Sequence, residues 1–366
     1  MVLIKILFLS VHSVLEFQEL SILTEIDSTL DEKLDIEVFS LNGAYQNPLQ
    51  SGDFLRPPIQ KGILYNGEGG RPDLFGVAMQ SDKDNIHPEL LDWCDIVYMH
   101  HNSAIPGQKD TQRWLERNWK LISEKKKKVI WRSIGQSTPE IEKLLAGYRS
   151  KGLIILRYSP YEDKIPNYAG HDAIIRFSEK EDEFGGWTGE RKWVMTVAQS
   201  FMKRGEHLGY HLYDKITHGF ERKVYGTENE NLQEVNGGVP SYEELKDLYR
   251  QSRVFFYYGT QPAPYTMSFV EAFLTGTPIV AVGRTLRDTH LYRWPHYEIP
   301  DIISNGVNGF VSDNIEELRG YIDLLLTDDE TAKRISDAGR ETSIRLFSRY
   351  GRMPEWANFL KSIWKQ

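Results

Sequence analysis

Short apolar and β-branched runs alternate with polar stretches of helical length in the first half of the chain. Runs that are apolar throughout are typical of strands buried on both faces of a parallel sheet. The predicted strands are Ile4–Ser10, Ile36–Ser40, Ile96–His100, Val129–Ile134, Leu153–Arg157 and Ala173–Phe177. Because helix-like stretches such as Gln108–Glu124 and Pro139–Arg149 lie between them, the pattern indicates a doubly wound α/β domain.

The pattern breaks at Glu179–Arg191, which is charged, rich in glycine and without periodicity, and which we interpret as an interdomain linker. The pattern then restarts. The predicted strands are Trp193–Ala198, Lys223–Tyr225, Arg253–Tyr257 and Pro278–Val282, and the predicted helices are His207–Ile216, Tyr242–Gln251, Phe269–Thr275, Ile315–Leu326 and Asp329–Phe347. The fold class predicted is therefore α/β, with two Rossmann-like doubly wound domains, residues 1–185 and 186–350, facing a cleft that binds ligands.

The segment Gly43–Asp92, rich in proline and glycine, fits either a long active-site loop or an insertion. The apolar N-terminal run lacks a basic leader and a cleavage site, and Lys5 interrupts it, so we expect a buried strand rather than a signal peptide. No run reaches the roughly 18–20 apolar residues of a membrane span. The single cysteine, Cys94, excludes an internal disulfide and a cysteine zinc site, and fits a reducing, cytoplasmic location.

Composition narrows the function classes further. The chain has 366 residues, of which 40% are hydrophobic and 26% are charged, so a disordered protein is excluded. The net charge of −8 argues against a protein that coats nucleic acid. The composition is compatible with a peripheral contact to a membrane surface.

The stretch Ser252–Gly283 carries the most information about function. A buried strand runs into a proline-rich loop, and a helix then opens at Ser268 and closes at Gly276. Ser268 and Glu271 have the spacing of a capping box, which would be a purely structural role. The same geometry also suits a nucleotide, because a helix N-terminus at the edge of a sheet binds phosphate and a carboxylate there can bind ribose hydroxyls.

The runs FVEAFLTGTPIVAVG, EIPDIISNGVNGFV and LLLTDDETAKRISDAGRETSIRLFS follow one another in an order that resembles the retaining GT-B glycosyltransferases of the group-1 type. The upstream run SYEELKDLYRQSRVFF is similar to that family as well, and the resemblance covers about Trp193–Lys361. It implies that the second domain binds a nucleotide diphosphate sugar, that the first domain binds the acceptor, and that the sugar is transferred with retention. It also implies that the C-terminal helix, residues 351–366, returns to the first domain.

The resemblance implies donor-site residues in the second domain. Two glutamates eight positions apart hold the donor in this family: the second, which contacts the ribose, is Glu271, and the first falls on Ala263. Backbone amides and hydroxyls near the sugar could instead come from a run of four residues: Tyr265, Thr266, Met267 and Ser268. Glu271 is also among the residues that we predict to be catalytic.

A diphosphate clamp is implied just after the first strand of the second domain. The family has an arginine followed five positions later by a lysine, and these positions are Gln199 and Arg204 here. Arg204, with Lys203 beside it, retains a cation that could neutralise the leaving diphosphate and act in catalysis. Lys203 and Arg204 could also be an exposed loop pair.

The first domain of such enzymes contributes a histidine at the end of a strand. The run VIWRSIGQ aligns with a strand that ends in His-Gly, but Ile134 precedes Gly135 here. His12 and His100 both follow predicted strands and are candidates for binding the acceptor, and His100 is a candidate for catalysis. The alternative for each is a loop histidine bonded to its own backbone.

No metal or other cofactor is expected, because a basic side chain and a helix dipole can stabilise the diphosphate charge. His207 and His211 share a helical face, but Leu208 stands where a zincin needs glutamate, and Asp82 with Asp84 fits a polar turn better than a metal site. We therefore predict a hexosyltransferase that uses a UDP-, GDP- or ADP-linked sugar and a saccharide, lipid-linked or protein acceptor. The alternatives are a non-catalytic nucleotide-sugar-binding protein and a sugar-nucleotide epimerase.

Overall fold

The computed structural model describes residues 2–9, 13–26, 34–40, 85–100, 110–287 and 294–364, together with Leu74 and Val77. They form two compact units. The first contains the described residues up to Arg176 and those from Arg352 onward, and the second runs from Phe177 to Gly351. Each unit contains a six-stranded sheet in which every neighbouring pair of strands is parallel.

The sheet of the first unit has the strand order β2-β1-β3-β4-β5-β6. Its strands are β1 (Val2–Leu9), β2 (Leu34–Ser40), β3 (Ile96–His100), β4 (Lys128–Arg132), β5 (Leu153–Arg157) and β6 (Ala173–Ile174). The helices of this unit are α1 (Ser13–Glu25), α2 (Pro88–Trp93), α3 (Asp110–Glu124), α4 (Pro139–Arg149) and most of α13 (Arg349–Trp364). All six predicted strands are therefore present, with ends that shift by a few residues.

Alternate residues of each strand in the first unit enter two separate hydrophobic cores. Ile6 and Tyr98 belong to the core that also holds side chains of α1 and α13, whereas Leu7 and Val97 belong to the core that holds side chains of α2, α3 and α4. Both faces of the sheet are thus covered by helices, which explains why the strand sequences are apolar throughout.

Helix α13 is the predicted C-terminal helix that returns to the first domain, and the structure confirms it. Trp356, Phe359, Leu360 and Ile363 are buried in the same core as strands β1 and β2. The indole of Trp356 also lies 5.5 Å from the guanidinium carbon of Arg132.

The sheet of the second unit has the strand order β12-β11-β10-β7-β8-β9. Its strands are β7 (Arg191–Val197), β8 (Arg222–Tyr225), β9 (Asn236–Gly238), β10 (Ser252–Tyr257), β11 (Ile279–Val282) and β12 (Phe310–Ser312). The helices are α5 (Phe201–Leu208), α6 (Tyr210–Thr217), α7 (Tyr242–Gln251), α8 (Met267–Thr275), α9 (Arg284–Arg287), α10 (Ile299–Ile302), α11 (Ile315–Thr327) and α12 (Asp329–Phe347). Two such doubly wound sheets are the Rossmann-like pair that the sequence predicts.

The charged stretch Glu179–Arg191 is an integral part of the second unit rather than a linker. Main-chain hydrogen bonds join the N–H of Glu179 to the carbonyl of Phe347 at 3.1 Å and the N–H of Thr188 to the carbonyl of Arg250 at 2.9 Å. Its sequence is mostly charged and has no periodicity, so the sequence did not reveal that its backbone is fixed. The division between the units falls before it, at Arg176 and Phe177, whereas we predicted a boundary at 185 and 186.

Candidate active site

The second sheet has a topological switch point between β7 and β10. From β7 the chain proceeds outward through β8 and β9, and it then returns to the other side of β7 to form β10, β11 and β12. In open parallel sheets the crevice at such a point, beyond the carboxyl ends of the strands, is where ligands bind. The loop after β7 and the loop after β10 flank this crevice.

The loop after β7 is fixed by side chains from the loop after β8. Ser200 has a left-handed backbone, with φ of 50°, and its hydroxyl bonds to Oε2 of Glu228 at 2.6 Å. The side chain of Asn229 donates to the carbonyl of Ala198 at 2.7 Å. Gly226 leaves room for this contact, since a Cβ there would lie 2.2 Å from the Ala198 carbonyl oxygen. The loop that precedes Arg204 is therefore rigid.

Arg204 lies inside helix α5, whereas we predict from the sequence that it lies in the loop before a helix. Its N–H donates to the carbonyl of Ser200 at 2.8 Å, and its side chain is exposed. Within the described ranges its guanidinium has no ion-pair or hydrogen-bond partner, whereas the ammonium of Lys203 lies 3.5 Å from Oε2 of Glu228. Arg204 is thus the cation of this pair that is available to a ligand, and the neutral Gln199 lies in the loop after β7.

The predicted helix His207–Ile216 is two helices, α5 and α6, that meet at Gly209. Gly209 has φ of 67°, and a Cβ there would lie 2.3 Å from the ring of Tyr258. The carbonyl of His207 accepts a hydrogen bond from the N–H of Gln261 at 2.8 Å. Helix α5, which carries Arg204, is therefore bound directly to the loop after β10.

Helix α8 begins at Met267, with Thr266 as its N-cap residue, so the predicted capping box of Ser268 and Glu271 does not form. The Thr266 N–H instead donates to the hydroxyl oxygen of Tyr257 at 2.9 Å, and the hydroxyls of Thr266 and Ser268 are 3.0 Å apart. The N–H groups of Met267 and Ser268 have no acceptor in the part of the chain that the structure describes. Such N–H groups at the start of a helix can bind phosphate.

Glu271 is buried near the start of α8, with 4% of its surface exposed. Its Oε2 accepts a hydrogen bond from the hydroxyl of Tyr249 at 3.1 Å. Tyr249 comes from α7, 22 positions earlier in the chain, so no sequence motif marks this contact. Glu271 therefore lies beside the free N–H groups of α8, and the hydroxyl of Tyr249 is one of its hydrogen-bond partners.

Tyr265 and Ala263, the other two positions of this loop that the sequence analysis considered, are both buried. The ring of Tyr265 packs against Phe347, with ring centroids 5.2 Å apart, so its side chain belongs to the core. Ala263 has a buried methyl group, and its carbonyl accepts a hydrogen bond from Nη2 of Arg287 at 2.8 Å. Arg287 is a residue of this site that sequence reasoning missed, because its partners are backbone carbonyls and no motif marks them.

A cavity of about 470 Å³ lies beside α7 and the strand ends of β8 and β9. Tyr225, Val239 and Leu248 give it an aromatic and apolar wall, and the carboxylates of Glu244 and Asp247 supply hydrogen-bond acceptors. A flat group with N–H donors fits this combination. No sequence motif marks the cavity, because its residues come from three separate segments.

The switch point of the first sheet lies between β1 and β3. His12 lies outside the described residues. His100 ends β3 and is fully buried, with its Nε2 2.6 Å from Oε2 of Glu19. Glu19 also accepts hydrogen bonds from Tyr98 and, at 2.7 Å, from Nε of Arg132. The structure therefore does not present the imidazole of His100 to an acceptor.

The described ranges contain no group of three or more histidine, cysteine, aspartate or glutamate residues arranged to hold a metal. Asp82 and Asp84, the weak metal-motif candidates, lie outside these ranges. None of the described helices combines the length and the apolar character that a membrane span needs.

Residues 217–342 match the family model for glycosyl transferases group 1. This range contains β10, the loop after it and helix α8, and it therefore includes Glu271 and the free N–H groups of Met267 and Ser268. No curated protein matches the chain in sequence.

Solved structures show the same fold over the whole chain. A glycosyltransferase from Rickettsia africae has a TM-score of 0.62 and 15% identity, with 99% of each chain covered. Anabaena HepE in complex with UDP and glucose has a TM-score of 0.62 and 14% identity, with 98% of this chain and 100% of that chain covered. The lipopolysaccharide outer core galactosyltransferase WaaB has a TM-score of 0.56 and 13% identity, with 98% of this chain and 99% of that chain covered. The second unit therefore contains a stretch that matches the glycosyl transferases group 1 model, and the chain has the GT-B fold.

Proposed function

We propose that the protein transfers a sugar from a nucleotide diphosphate sugar to an acceptor hydroxyl, with retention at the anomeric carbon and without a metal. The observation that carries the proposal is the pairing of an unpartnered arginine with free helix N–H groups at one sheet edge. Arg204 lies on the β7 side of the switch point, and Met267 and Ser268 lie on the β10 side. The complex of Anabaena HepE with UDP and glucose supports the same ligand class.

In this proposal the diphosphate binds at the start of α8, and Glu271 binds the ribose. The bond between the anomeric carbon and the phosphate oxygen breaks, so negative charge builds on the leaving diphosphate. The acceptor oxygen forms a bond to the same carbon, and its proton passes to the leaving diphosphate. Arg204 and the N–H groups of Met267 and Ser268 stabilise that charge, because fixed donors and cations need no reorganisation as the charge develops. The cavity beside Tyr225 is where we place the nucleobase.

The donor class is tested by incubating the protein with UDP-, GDP- and ADP-sugars and measuring release of free nucleoside diphosphate. We expect slow hydrolysis of one class and a rise in its melting temperature, since a ligand that binds only the folded state stabilises it. If no nucleotide sugar either binds or is hydrolysed, the proposal is wrong.

Chelation should leave the turnover rate unchanged, because protein groups supply the positive charge for the leaving diphosphate. The measurement is the rate of donor hydrolysis with and without EDTA, with added Mg²⁺ and Mn²⁺ as separate arms. Loss of all turnover in EDTA, restored by a divalent ion, would contradict the metal-free scheme and leave the donor assignment intact.

Replacing Glu271 by alanine should weaken binding of the nucleotide by about 1–3 kcal/mol, because charge-assisted hydrogen bonds to the ribose are lost. Calorimetry with the nucleoside diphosphate alone measures this affinity. Tyr249→Phe is the matched control, because it removes the hydroxyl that bonds to Glu271 but keeps the carboxylate. If Glu271→Ala lowers only the melting temperature and leaves the affinity unchanged, the carboxylate has a purely structural role.

A further inference from the structure

Arg287 is a buried cation beside the donor site, at the end of the short helix α9 that follows β11. Its guanidinium donates to the main-chain carbonyls of Tyr258 at 3.0 Å, Thr260 at 3.0 Å and Ala263 at 2.8 Å. These bonds use Nε and Nη2, so the two N–H groups of Nη1 have no acceptor within the described ranges. No described carboxylate forms an ion pair with Arg287, although only 4% of the residue is exposed.

Two more polar groups without partners lie next to this cation. The ring of Tyr297 stacks on the guanidinium, 4.0 Å from its carbon to the ring centroid. The hydroxyl of Tyr297 and Nε2 of His296 are buried and have no hydrogen-bond partner among the described residues. Nδ1 of His296 lies 2.9 Å from the carbonyl of Trp294, which assigns its proton to Nδ1 and leaves Nε2 as an acceptor.

The surroundings keep His296 neutral. Burial, together with the positive charge of Arg287, lowers the pKa of His296 to about 3. The groups of the cluster that lack hydrogen-bond partners among the described residues are therefore the two N–H groups at Nη1 of Arg287, the hydroxyl of Tyr297 and Nε2 of His296. Buried polar groups are almost always hydrogen-bonded in folded proteins, because leaving them unpaired costs free energy. Two such buried groups beside an arginine that has unused N–H donors point to a ligand that completes them.

We propose that Arg287, His296 and Tyr297 form a subsite for a carboxylate-bearing sugar, so that the donor is a nucleotide diphosphate hexuronate. The carboxylate accepts from Nη1 of Arg287 and from the hydroxyl of Tyr297, and a sugar hydroxyl donates to Nε2 of His296. This inference rests on the proposed function and narrows its substrate class.

The position of the cluster favours the sugar over the diphosphate as its ligand. Arg287 holds the loop after β10 from the β11 side, whereas the helix with Arg204 is bound to the same loop through Gln261. Arg204 and the start of α8 already supply a cation and two N–H donors for the diphosphate. The sugar is the next group along the donor, and Ala263, which borders the subsite, carries no charge that would repel a carboxylate.

The test uses donor pairs that differ only at carbon 6 of the sugar: UDP-glucose and UDP-glucuronate, UDP-galactose and UDP-galacturonate, and GDP-mannose and GDP-mannuronate. Calorimetry on the full chain gives the Kd of each. In at least one pair we expect the acidic donor to bind about 10–100-fold more tightly, as charge-assisted hydrogen bonds predict. Equal binding within every pair, or tighter binding of the neutral donors, would overturn the inference while leaving the proposed function in place.

Variants separate the subsite from a structural role of Arg287. If a substitution only loosened the loop, it would weaken the binding of both donors of a pair and of UDP alone. The ratio of the affinities of the acidic and the neutral donor would then not change. In Arg287→Lys we expect the ratio of the affinities for the acidic and the neutral donor to fall to within about threefold of one. In Tyr297→Phe, which removes only the hydroxyl, we expect this ratio to fall several-fold. Arg284→Gln, on the same helix but paired with Asp301, should keep the wild-type ratio. An unchanged ratio in both Arg287→Lys and Tyr297→Phe would refute the subsite.

Discussion

Replacing Arg204 by alanine should lower kcat by about 10²–10³-fold, the range for loss of one preorganised donor to a developing oxyanion. The exposed guanidinium has no partner among the described residues, so its charge is available to the donor diphosphate. That charge matters most when negative charge builds on the leaving phosphate, and the Kd for the donor should therefore rise much less than kcat falls. Single-turnover kinetics together with calorimetry measure the two effects separately.

Lys203→Ala is the matched control for Arg204→Ala. The two residues are adjacent and both exposed, but the ammonium of Lys203 already lies 3.5 Å from the carboxylate of Glu228. We therefore expect nearly wild-type kcat in Lys203→Ala. A nearly wild-type kcat in Arg204→Ala would remove that residue from the site, and a large loss confined to Lys203→Ala would move the diphosphate clamp by one residue.

Replacing Glu19 by alanine should lower the free energy of unfolding of the first unit by about 3–5 kcal/mol, as expected when one partner of a buried ion pair is removed. Glu19 is 1% exposed and accepts hydrogen bonds from Tyr98 and from Arg132, whose side chain is fully buried. Without the carboxylate Arg132 loses the ion pair at Nε while its charge stays buried. Denaturant unfolding followed through tryptophan fluorescence measures the loss, and a change below about 1 kcal/mol would contradict it.

The contribution of Glu19 should also depend on pH. Burial raises the pKa of this carboxyl, but the charge of Arg132 and the hydrogen bonds from His100 and Tyr98 outweigh that effect and lower it to about 2, from an ordinary value of 4.5. The stabilisation is therefore complete above pH 4.5 and is lost as the pH falls toward 2. Glu19→Gln removes the charge but keeps the shape, so its difference from the wild type should shrink over that interval.

The strands of both units were predictable where they are long and buried on both faces, because a continuous apolar run leaves few alternatives. Helices with strong caps were equally clear: α4 and α7 have the predicted ends, and Thr138 and Ser241 cap them. Strands β9 and β12 were missed, since each has three residues and one of them, β9, contains two glycines. Pairing with a neighbouring strand, which local sequence does not record, fixes such short strands.

The candidate site was predictable in place but not in its contacts. The switch-point loops follow from strand order, and the resemblance to a family directed attention to Arg204 and Glu271. Thr266 and Ser268 are both residue types that cap helices, so the sequence predicts a helix that opens at Ser268, whereas α8 begins at Met267 with Thr266 as its cap. The hydrogen bond from the Thr266 N–H to the Tyr257 hydroxyl, which selects Thr266, follows no local pattern. Arg287 gave no signal, because a side chain that bonds to distant backbone carbonyls follows no sequence pattern.

Helix α13 has a consequence for the order in which the chain folds during synthesis. The second unit is one nearly uninterrupted stretch, Phe177–Gly351, whereas the core of the first unit includes Trp356 and Leu360. Domains usually fold from the N-terminal end as the ribosome releases them. Here the first unit must wait, with part of the surface of β1 and β2 uncovered, until residues made after the whole second unit have emerged. A chaperone that shields this surface would therefore act on the nascent chain for almost the entire time of translation.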